Sequence, residues 1–301
     1  MVSVLMPSFN YAHYLRKAIE SVLSQGYSDL ELIIVDDCST DESWDIAQEY
    51  KRLDGRVVSV RHDRNSGLAA TRNTALAASV GQFVALCDAD DIWLPHKLTA
   101  QLKCFGRDDG YGVVHSDAWI IDDTGHRSGS CFSNLFHREG QPTSGDLFNE
   151  LCRRNFICVP TVTLRREAIL EVGGFEKGMR SLEDWVCWTK IARKYTSYYI
   201  DEALVEYRLH GRSLSQNSRN MASSRVEALS VLLQSIPDIS RTSRSAMLYA
   251  LGMSQVELHN LPEAAIAFRN SVLINPFQVR SWIRLAQCLS RSVYPRAHSR
   301  S

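Results

Sequence analysis

Short unbroken apolar runs alternate with amphipathic stretches along the first two thirds of the chain, at the spacing of strands and helices. Val2-Ser3-Val4-Leu5-Met6 predicts a first strand, ending at Pro7-Ser8-Phe9-Asn10. Leu15, Ala18, Ile19, Val22 and Leu23 mark one helix face, closed by Gly26. Leu30–Val35 predicts a second buried strand that runs into Asp36-Asp37. Ser39 with Glu42 reads as a capping box for a helix carrying Ile46, Ala47, Tyr50 and Leu53. A third strand at Val57–Arg61, a turn at Asn65-Ser66-Gly67 and a helix from Leu68 to Ser79 follow. Phe83–Cys87 then runs without polar alternation, as in a strand covered on both faces. Strands and helices alternating in this way predict an α/β fold: a mostly parallel, doubly wound sheet flanked by helices.

Beyond this point the pattern changes. Leu98, Leu102 and Phe105 share a helix face, and Gly112–Ser116 with Ala118–Ile121 read as split or bulged strand material. Residues 126–145 lack periodicity and read as a loop facing the substrate or a mobile segment. A strand at Val159–Leu164, a short helix, a helix opened by Leu182-Glu183-Asp184-Trp185, and two short strands near 197–200 and 203–208 complete this part. From about residue 218 the periodicity is helical throughout. Val226, Leu229, Leu233 and Ile236 line one face of a connecting helix over 218–240. Over 241–289, Leu248, Leu251 and Gly252 are echoed 34 residues later by Trp282, Leu285 and Ala286, the period of tetratricopeptide repeats. Residues 290–301 hold three arginines, no acids and no apolar period, so a disordered tail is expected. With only about one and a half repeats, these helices are expected to dock on the first domain or to bind a protein partner. The expected division is therefore 1–217, 218–240, 241–289 and 290–301.

Composition narrows the classes. A chain of 301 residues has room for about two domains. Its 34 basic and 34 acidic side chains cancel, which gives no electrostatic case for nucleic acid. Eight scattered cysteines without a C-x-x-C pair read as reduced core thiols of a cytoplasmic protein. The N-terminus enters a strand at once, so no signal peptide is expected. No run approaches the ~18 apolar residues that span a bilayer, so any membrane association is peripheral, at the inner face.

The chemistry concentrates where the 83–87 strand ends, in Asp88-Ala89-Asp90-Asp91. In extended chain Asp88 and Asp90 point the same way and Asp91 the opposite way. Two like charges aimed at one spot repel unless a cation sits between them, and oxygen ligands suit Mg²⁺ or Mn²⁺. The plain alternative is that these acids cap the helix opened by Pro95. The carboxyl end of a buried strand is, however, where open α/β sheets bind ligands.

In order along the chain, Pro7-Ser8-Phe9-Asn10, Val35-Asp36-Asp37-Cys38-Ser39-Thr40-Asp41, Asn65-Ser66-Gly67 with Ala70-Thr71-Arg72-Asn73, Asp88-Ala-Asp90-Asp91, Gly173-Gly174-Phe175, Glu183-Asp184 and Tyr207-Arg208-x-His210 form a set. This ordered set resembles the family-2 glycosyltransferases, inverting enzymes of the GT-A fold, over roughly residues 1–217. The resemblance implies a nucleotide-diphosphate sugar, foremost a UDP-sugar, as donor and a carbohydrate or lipid-linked acceptor. It implies that Asp37 hydrogen-bonds the base, that Pro7 and Ser8 line the base pocket, and that Asp88 meets the ribose or the metal. Asp36 would cap local backbone. Arg72 would lie along the nucleotide, although taken alone it reads as a solvated helix arginine. Asp90 is the metal-ligand candidate, and His210 reads equally as a metal or diphosphate ligand and as a structural hydrogen-bonding residue. Inverting transfer needs a base, which the Glu-Asp motif places at Asp184. Trp185 and Trp188 read as core, while Trp93 is open.

One competing reading is a decayed sugar-nucleotide-binding or scaffold protein acting through its helical repeats. The presence of Asp37, Asp88 with Asp90, and Asp184 together argues against decay. A phospho-receiver domain has no use for the D-x-D. A nucleotidyltransferase needs a Gly-rich basic loop after the first strand, which Pro7–Asn10 does not supply.

Overall fold

In a computed structural model of the chain, β1 (Val2–Ser8) is buried along its whole length and pairs in parallel with β2 (Leu30–Asp36) and β4 (Phe83–Leu86). The structure describes residues 1–136, 144–211, 213 and 217–293. β3 (Val57–Arg61) adds to β2, so the first half of the sheet is parallel, as the alternating pattern predicts. Helices α1 (Ala12–Leu23), α2 (Ser43–Leu53) and α3 (Leu68–Ala78) supply its crossovers. Val4, Leu15, Ile19, Leu32, Ile34 and Ala85 belong to the resulting core. Apolar runs with both faces covered explain why these strands show no alternation.

The second half is mixed. Its elements are β5 (Ile92–Trp93), α4 (Lys97–Phe105), β6 (Tyr111–Ile121), β7 (Arg127–Cys131), α5 (Phe132–Phe136), α6 (Phe148–Leu151), a 3₁₀ turn at Val159–Thr161, β8 (Thr163–Arg165), α7 (Arg166–Glu171), α8 (Glu183–Ile191) and β9 (Thr196–Arg208). The strand order is β3-β2-β1-β4-β8-β6-β9-β5, with β7 on β6. β8 is antiparallel to both β4 and β6, and β5 to β9, whereas β6 and β9 are parallel.

Four local expectations change. The Ser39–Glu42 capping box does not form: Glu42 is the N-cap residue without a side-chain cap, and Ser39 Oγ accepts from Asn10 N–H instead. The strand expected over 159–164 is divided, because Pro160 has no N–H for a ladder and sits in the 3₁₀ turn. The two strands near 197–208 are one, β9, whose register against β6 shifts between Ser116 and Asp117, where the split in β6 was expected. Residues 127–136 are not patternless loop but β7 and α5, while 137–143 fall outside the described residues. Trp93, Trp185 and Trp188 are core.

The chain divides into two units, Met1–Phe148 with Asn155–Gly211, and Asn149–Arg154 with Arg212–Ser301. The second holds α9 (Ser218–Ser235), α10 (Arg241–Glu257), α11 (Leu261–Ile274) and α12 (Val279–Val293). In α9, Leu229 and Ile236 are buried as expected, but Ala228 and Leu232 fill the face more than Val226 and Leu233 do. α12 continues to Val293, four residues into the stretch expected to be disordered, and residues 294–301 lie outside the described part. Among the described residues no helix is long and apolar enough to cross a membrane.

Candidate active site

The carboxyl ends of β1 and β2 bring Ser8, Asp36 and Asp37 side by side, with Ser8 paired to Asp36 in the ladder and Asp37 N–H donating to Ser8 O. Pro7 pairs with Val35 one step inside. Asp36 turns to local work: Oδ2 accepts from Ser39 N–H at 3.0 Å and lies 3.3 Å from Arg61 Nε. Asp37 grips the next loop, Oδ1 accepting from Ser66 N–H and Oδ2 from Gly67 N–H, both at 2.8 Å, while His62 Nδ1 sits 2.7 Å from Oδ1. The carboxylate thus fixes the turn that opens α3 before it could meet any base.

α3 carries Arg72 into the interior, where it is 2% exposed. Its Nη2 donates to Asp88 Oδ1 at 2.7 Å and its Nη1 to Glu183 Oε1, so one cation joins the end of β4 to the start of α8. The next residue extends the joint. Asn73 Nδ2 donates to Phe175 O and its Oδ1 accepts from Phe175 N–H, pinning the Gly173-Gly174-Phe175 turn, whose ring lies under the Arg72 guanidinium. Gly174 has φ +78°, and a Cβ there would come within 2.6 Å of Asn73 Oδ1.

Three carboxyls crowd this cation. Burial pushes Glu183 up to about 7 against the pull of Arg72, with Asp184 adding to the rise. Burial likewise raises Asp184, opposed by Arg72 and by the hydrogen bond from Asn155 Nδ2 to Asp184 Oδ2 at 2.8 Å. Asp88 is raised by burial and by Asp90, and Arg72 opposes this. Burial works against the Arg72 charge, but Asp88, Glu183 and Asp184 outweigh it and hold the guanidinium protonated.

At the far edge, β9 ends in a clamp. Arg208 N–H donates to Asp91 Oδ1, its Nε to Asp90 O, and its Nη1 to Asp122 O and Asp123 O. Two residues on, His210 Nε2 lies 3.0 Å from Asp90 Oδ2, its ring stacked on Tyr14 at 5.3 Å. Tyr14 also lies under Arg208, and its hydroxyl donates to Asp123. Burial, with Asp90 and Asp88 close by, raises Asp91 well above the carboxylate range. Asp90 and His210 are the pair a divalent cation could take. Among the described residues no cluster of three or more His, Cys, Asp or Glu is arranged to hold a metal alone. A hard cation that keeps several waters and binds substrate phosphates fits two protein ligands.

Several buried polar atoms at this end of the sheet lack a hydrogen-bond partner: Ser8 Oγ, Asp36 Oδ1, Arg72 Nε, Asp91 Oδ2 and Glu183 Oε2. Such atoms are rare in folded proteins and call for an explanation, of which a polar ligand is one.

The profile described as Glycosyl transferase family 2 matches residues 3–173. The chain is 33% identical over 225 residues to a protein of Bacillus subtilis (strain 168) named as the teichuronic acid biosynthesis glycosyltransferase TuaG, covering 72% of this chain and 82% of that protein. The chain belongs to glycosyltransferase family 2. Solved structures agree on the fold. Residues 1–349 of Staphylococcus aureus TarS in complex with UDP-GlcNAc align at TM-score 0.69 and 17% identity, covering 97% of this chain and 88% of that one. The mannosyltransferase PcManGT of Pyrobaculum calidifontis, in complex with GDP-Man and Mn²⁺, aligns at TM-score 0.61 and 17% identity over 98% and 87%.

In this family-2 glycosyltransferase all seven motifs quoted from the sequence lie in the first unit, and side chains of four of them meet in two groups, Arg72 with Asp88 and Glu183, and Asp90 with His210. Sequence reasoning missed four residues. His62 bridges Asp37 to Thr74, and Asn155 orients Asp184 from a stretch without pattern. Tyr14 and Arg208 were visible, one as a helix residue and one inside a motif, but nothing in their spacing announced a clamp on Asp90.

Proposed function

We propose that this glycosyltransferase moves a sugar, with inversion, from a nucleotide-diphosphate donor, foremost a UDP-sugar, to a hydroxyl of a carbohydrate or lipid-linked acceptor. The setting would be polysaccharide, glycolipid or glycoconjugate synthesis at the cytoplasmic side, with any membrane contact peripheral. The observation that carries this reading is the concentration of partnerless buried polar atoms, Ser8 Oγ to Glu183 Oε2, at the strand ends where the acidic motifs converge. In this reading Pro7, Ser8 and Asp37 shape the base end, and Asp88 meets the ribose or the diphosphate side. Arg72 acts on the nucleotide end through its hold on Asp88. Asp90 and His210 would hold Mg²⁺ or Mn²⁺, which when bound neutralises charge on the leaving diphosphate.

Asp184 takes the proton from the acceptor hydroxyl as its oxygen bonds to the anomeric carbon and the bond from that carbon to the diphosphate breaks. Its features suit a base: burial raises its proton affinity, and Asn155 Nδ2 holds its Oδ2 in place. Glu183, held by Arg72, cannot turn to the same place. The test is Asp184→Asn, which keeps shape but cannot accept a proton. Transfer should fall by about 10²–10⁴, with donor affinity nearly unchanged by calorimetry on the same preparation. Near-native transfer would move the base elsewhere, and an equal loss of donor binding would recast Asp184 as structural.

A further inference from the structure

Tyr14 belongs to none of the seven motifs, yet two groups that touch Asp90 rest on its ring. It stands in the first turn of α1 and is 5% exposed. Leu15, Ala18, Ile19 and Val22 of the same helix pack into the main core. The Tyr14 ring turns instead to the end of β9. There the Arg208 guanidinium lies 4.8 Å from its centroid, and the His210 ring stacks on it at 5.3 Å and 27°. The Tyr14 hydroxyl donates to Asp123 Oδ1, while Arg208 Nη1 donates to the carbonyls of Asp122 and Asp123. From this support Arg208 Nε reaches Asp90 O at 2.8 Å, and His210 Nε2 reaches Asp90 Oδ2 at 3.0 Å. The main chain and the side chain of Asp90 are each met by a group seated on one ring.

The two seats differ in how much they need the ring. Arg208 closes β9, and its own hydrogen bonds to Asp90, Asp91, Asp122 and Asp123 fix it without Tyr14. His210 stands two residues beyond the strand. The bond from Leu209 N–H to Ile121 O holds the main chain there and leaves the imidazole to be placed by its surroundings. The outer torsion of a histidine is broad and roughly two-fold, so a ring without a stacking partner also visits orientations that turn Nε2 away. A stacked ring whose own hydroxyl is anchored removes that freedom. Tyr11 meets the imidazole at 6.1 Å and 74°, too oblique to set its plane. We propose that Tyr14 is a positioning residue for the divalent cation of the reaction, its ring holding the His210 imidazole in the plane that turns Nε2 to Asp90. This assignment rests on the reading of Asp90 and His210 as the cation's ligands. Residues that orient metal ligands from outside are typically worth about 10–100-fold in metal affinity.

Calorimetry of UDP binding to the 301-residue chain, in Mn²⁺ and again in EDTA, tests this without turnover. Tyr14→Met fills the space with a flexible apolar chain but offers no ring face. It should weaken Mn²⁺-dependent UDP binding about 10–100-fold and leave UDP binding in EDTA unchanged. Tyr14→Phe keeps the ring and should restore most of the lost affinity. Placed on His210→Ala, Tyr14→Met should add nothing further, because the imidazole it places is gone. Native Mn²⁺-dependent affinity in Tyr14→Met overturns the proposal. So does a loss of the same size in EDTA, a Tyr14→Phe variant as weak as Tyr14→Met, or a loss that adds in full to that of His210→Ala. A Tyr14→Met chain that does not fold overturns it too, since the ring would then hold the unit together and not His210. Full Mn²⁺ dependence in His210→Ala alone is the separate failure: it removes His210 from the cation, with Tyr14 untouched, and this proposal falls with that reading.

Discussion

Removing the Arg72 guanidinium, by Arg72→Met, should destabilise the first unit in a way that depends on pH. A buried ion pair broken from one side ordinarily costs about 3–5 kcal/mol, but a carboxyl has an exit, since it can take up a proton. Glu183 stands at about 7 in the intact protein, raised from the ordinary 4.5. Its contribution to stability is therefore fully present below pH 4.5 and is lost as pH rises to 7, after which it is level. Without Arg72 that decline continues past 7, at about 1.4 kcal/mol per pH unit. At pH 8.5 the Glu183 contribution to the loss is thus bounded near 2 kcal/mol, and at pH 5.5, where the group is neutral in both proteins, it vanishes. Asp88 is about a quarter exposed, so its pair with Arg72 adds only about 0.5–1 kcal/mol. The expected loss is about 2–3 kcal/mol at pH 8.5 and about 1 kcal/mol or less at pH 5.5. Urea unfolding at the two pH values measures it, and adding Glu183→Gln should remove most of the difference between them. A loss equal at both pH values, or a difference that survives Glu183→Gln, would refute the account of Arg72 as counter-ion to Glu183.

Asp90→Ala should abolish metal-dependent binding of UDP with Mn²⁺ in calorimetry while leaving the fold intact, because Asp90 raises the proton affinity of both Asp88 and Asp91 and its removal relieves that repulsion. Lys97 is fully buried against the Trp93 ring, 3.8 Å from its Nζ, and burial pulls it down to about 7. The unfolded chain then binds more protons, so stability rises with pH between about 7 and 10.5, and Lys97→Met should flatten that slope in unfolding curves. Gly174→Ala should cost about 2–4 kcal/mol, about 1–2 for a left-handed residue with a side chain and the rest from displacing Asn73 Oδ1. The matching rescue, Asn73→Ala on that background, should recover the steric part only.

The parallel half of the sheet was readable because continuous apolar runs have few alternatives, and β1 to β4 fall where those runs lie. The second half was less so. β8 keeps three residues after a proline that forbids a longer strand, and β6 and β9 carry a register shift that the apolar pattern shows only as a gap. The capping box failed for a tertiary reason, since Ser39 had a better partner in Asn10 of another loop. At the site, the residue types were legible and their pairings were not. Nothing local tells that Arg72 spends its charge on Asp88 and Glu183, because Glu183 lies 111 positions away. The same holds for Asn155, which lies 29 positions before the Asp184 it holds.

That separation of 111 residues has a cost in time. A ribosome adding about 5–20 residues per second needs roughly 6–20 seconds to deliver Glu183 after Arg72 has been made. During that interval β1 to β4 can already pair, and Arg72 can already find Asp88, but the sheet edge that β8 will cover is open and the cation is half matched. The emerging chain is then a partly closed sheet with an exposed strand edge, the form most open to wrong pairing with a neighbour. Slowing translation between codons 90 and 163 lengthens that exposure, and a holdase present at the ribosome shortens its consequences. The yield of folded enzyme is expected to fall as that window lengthens, before the site exists.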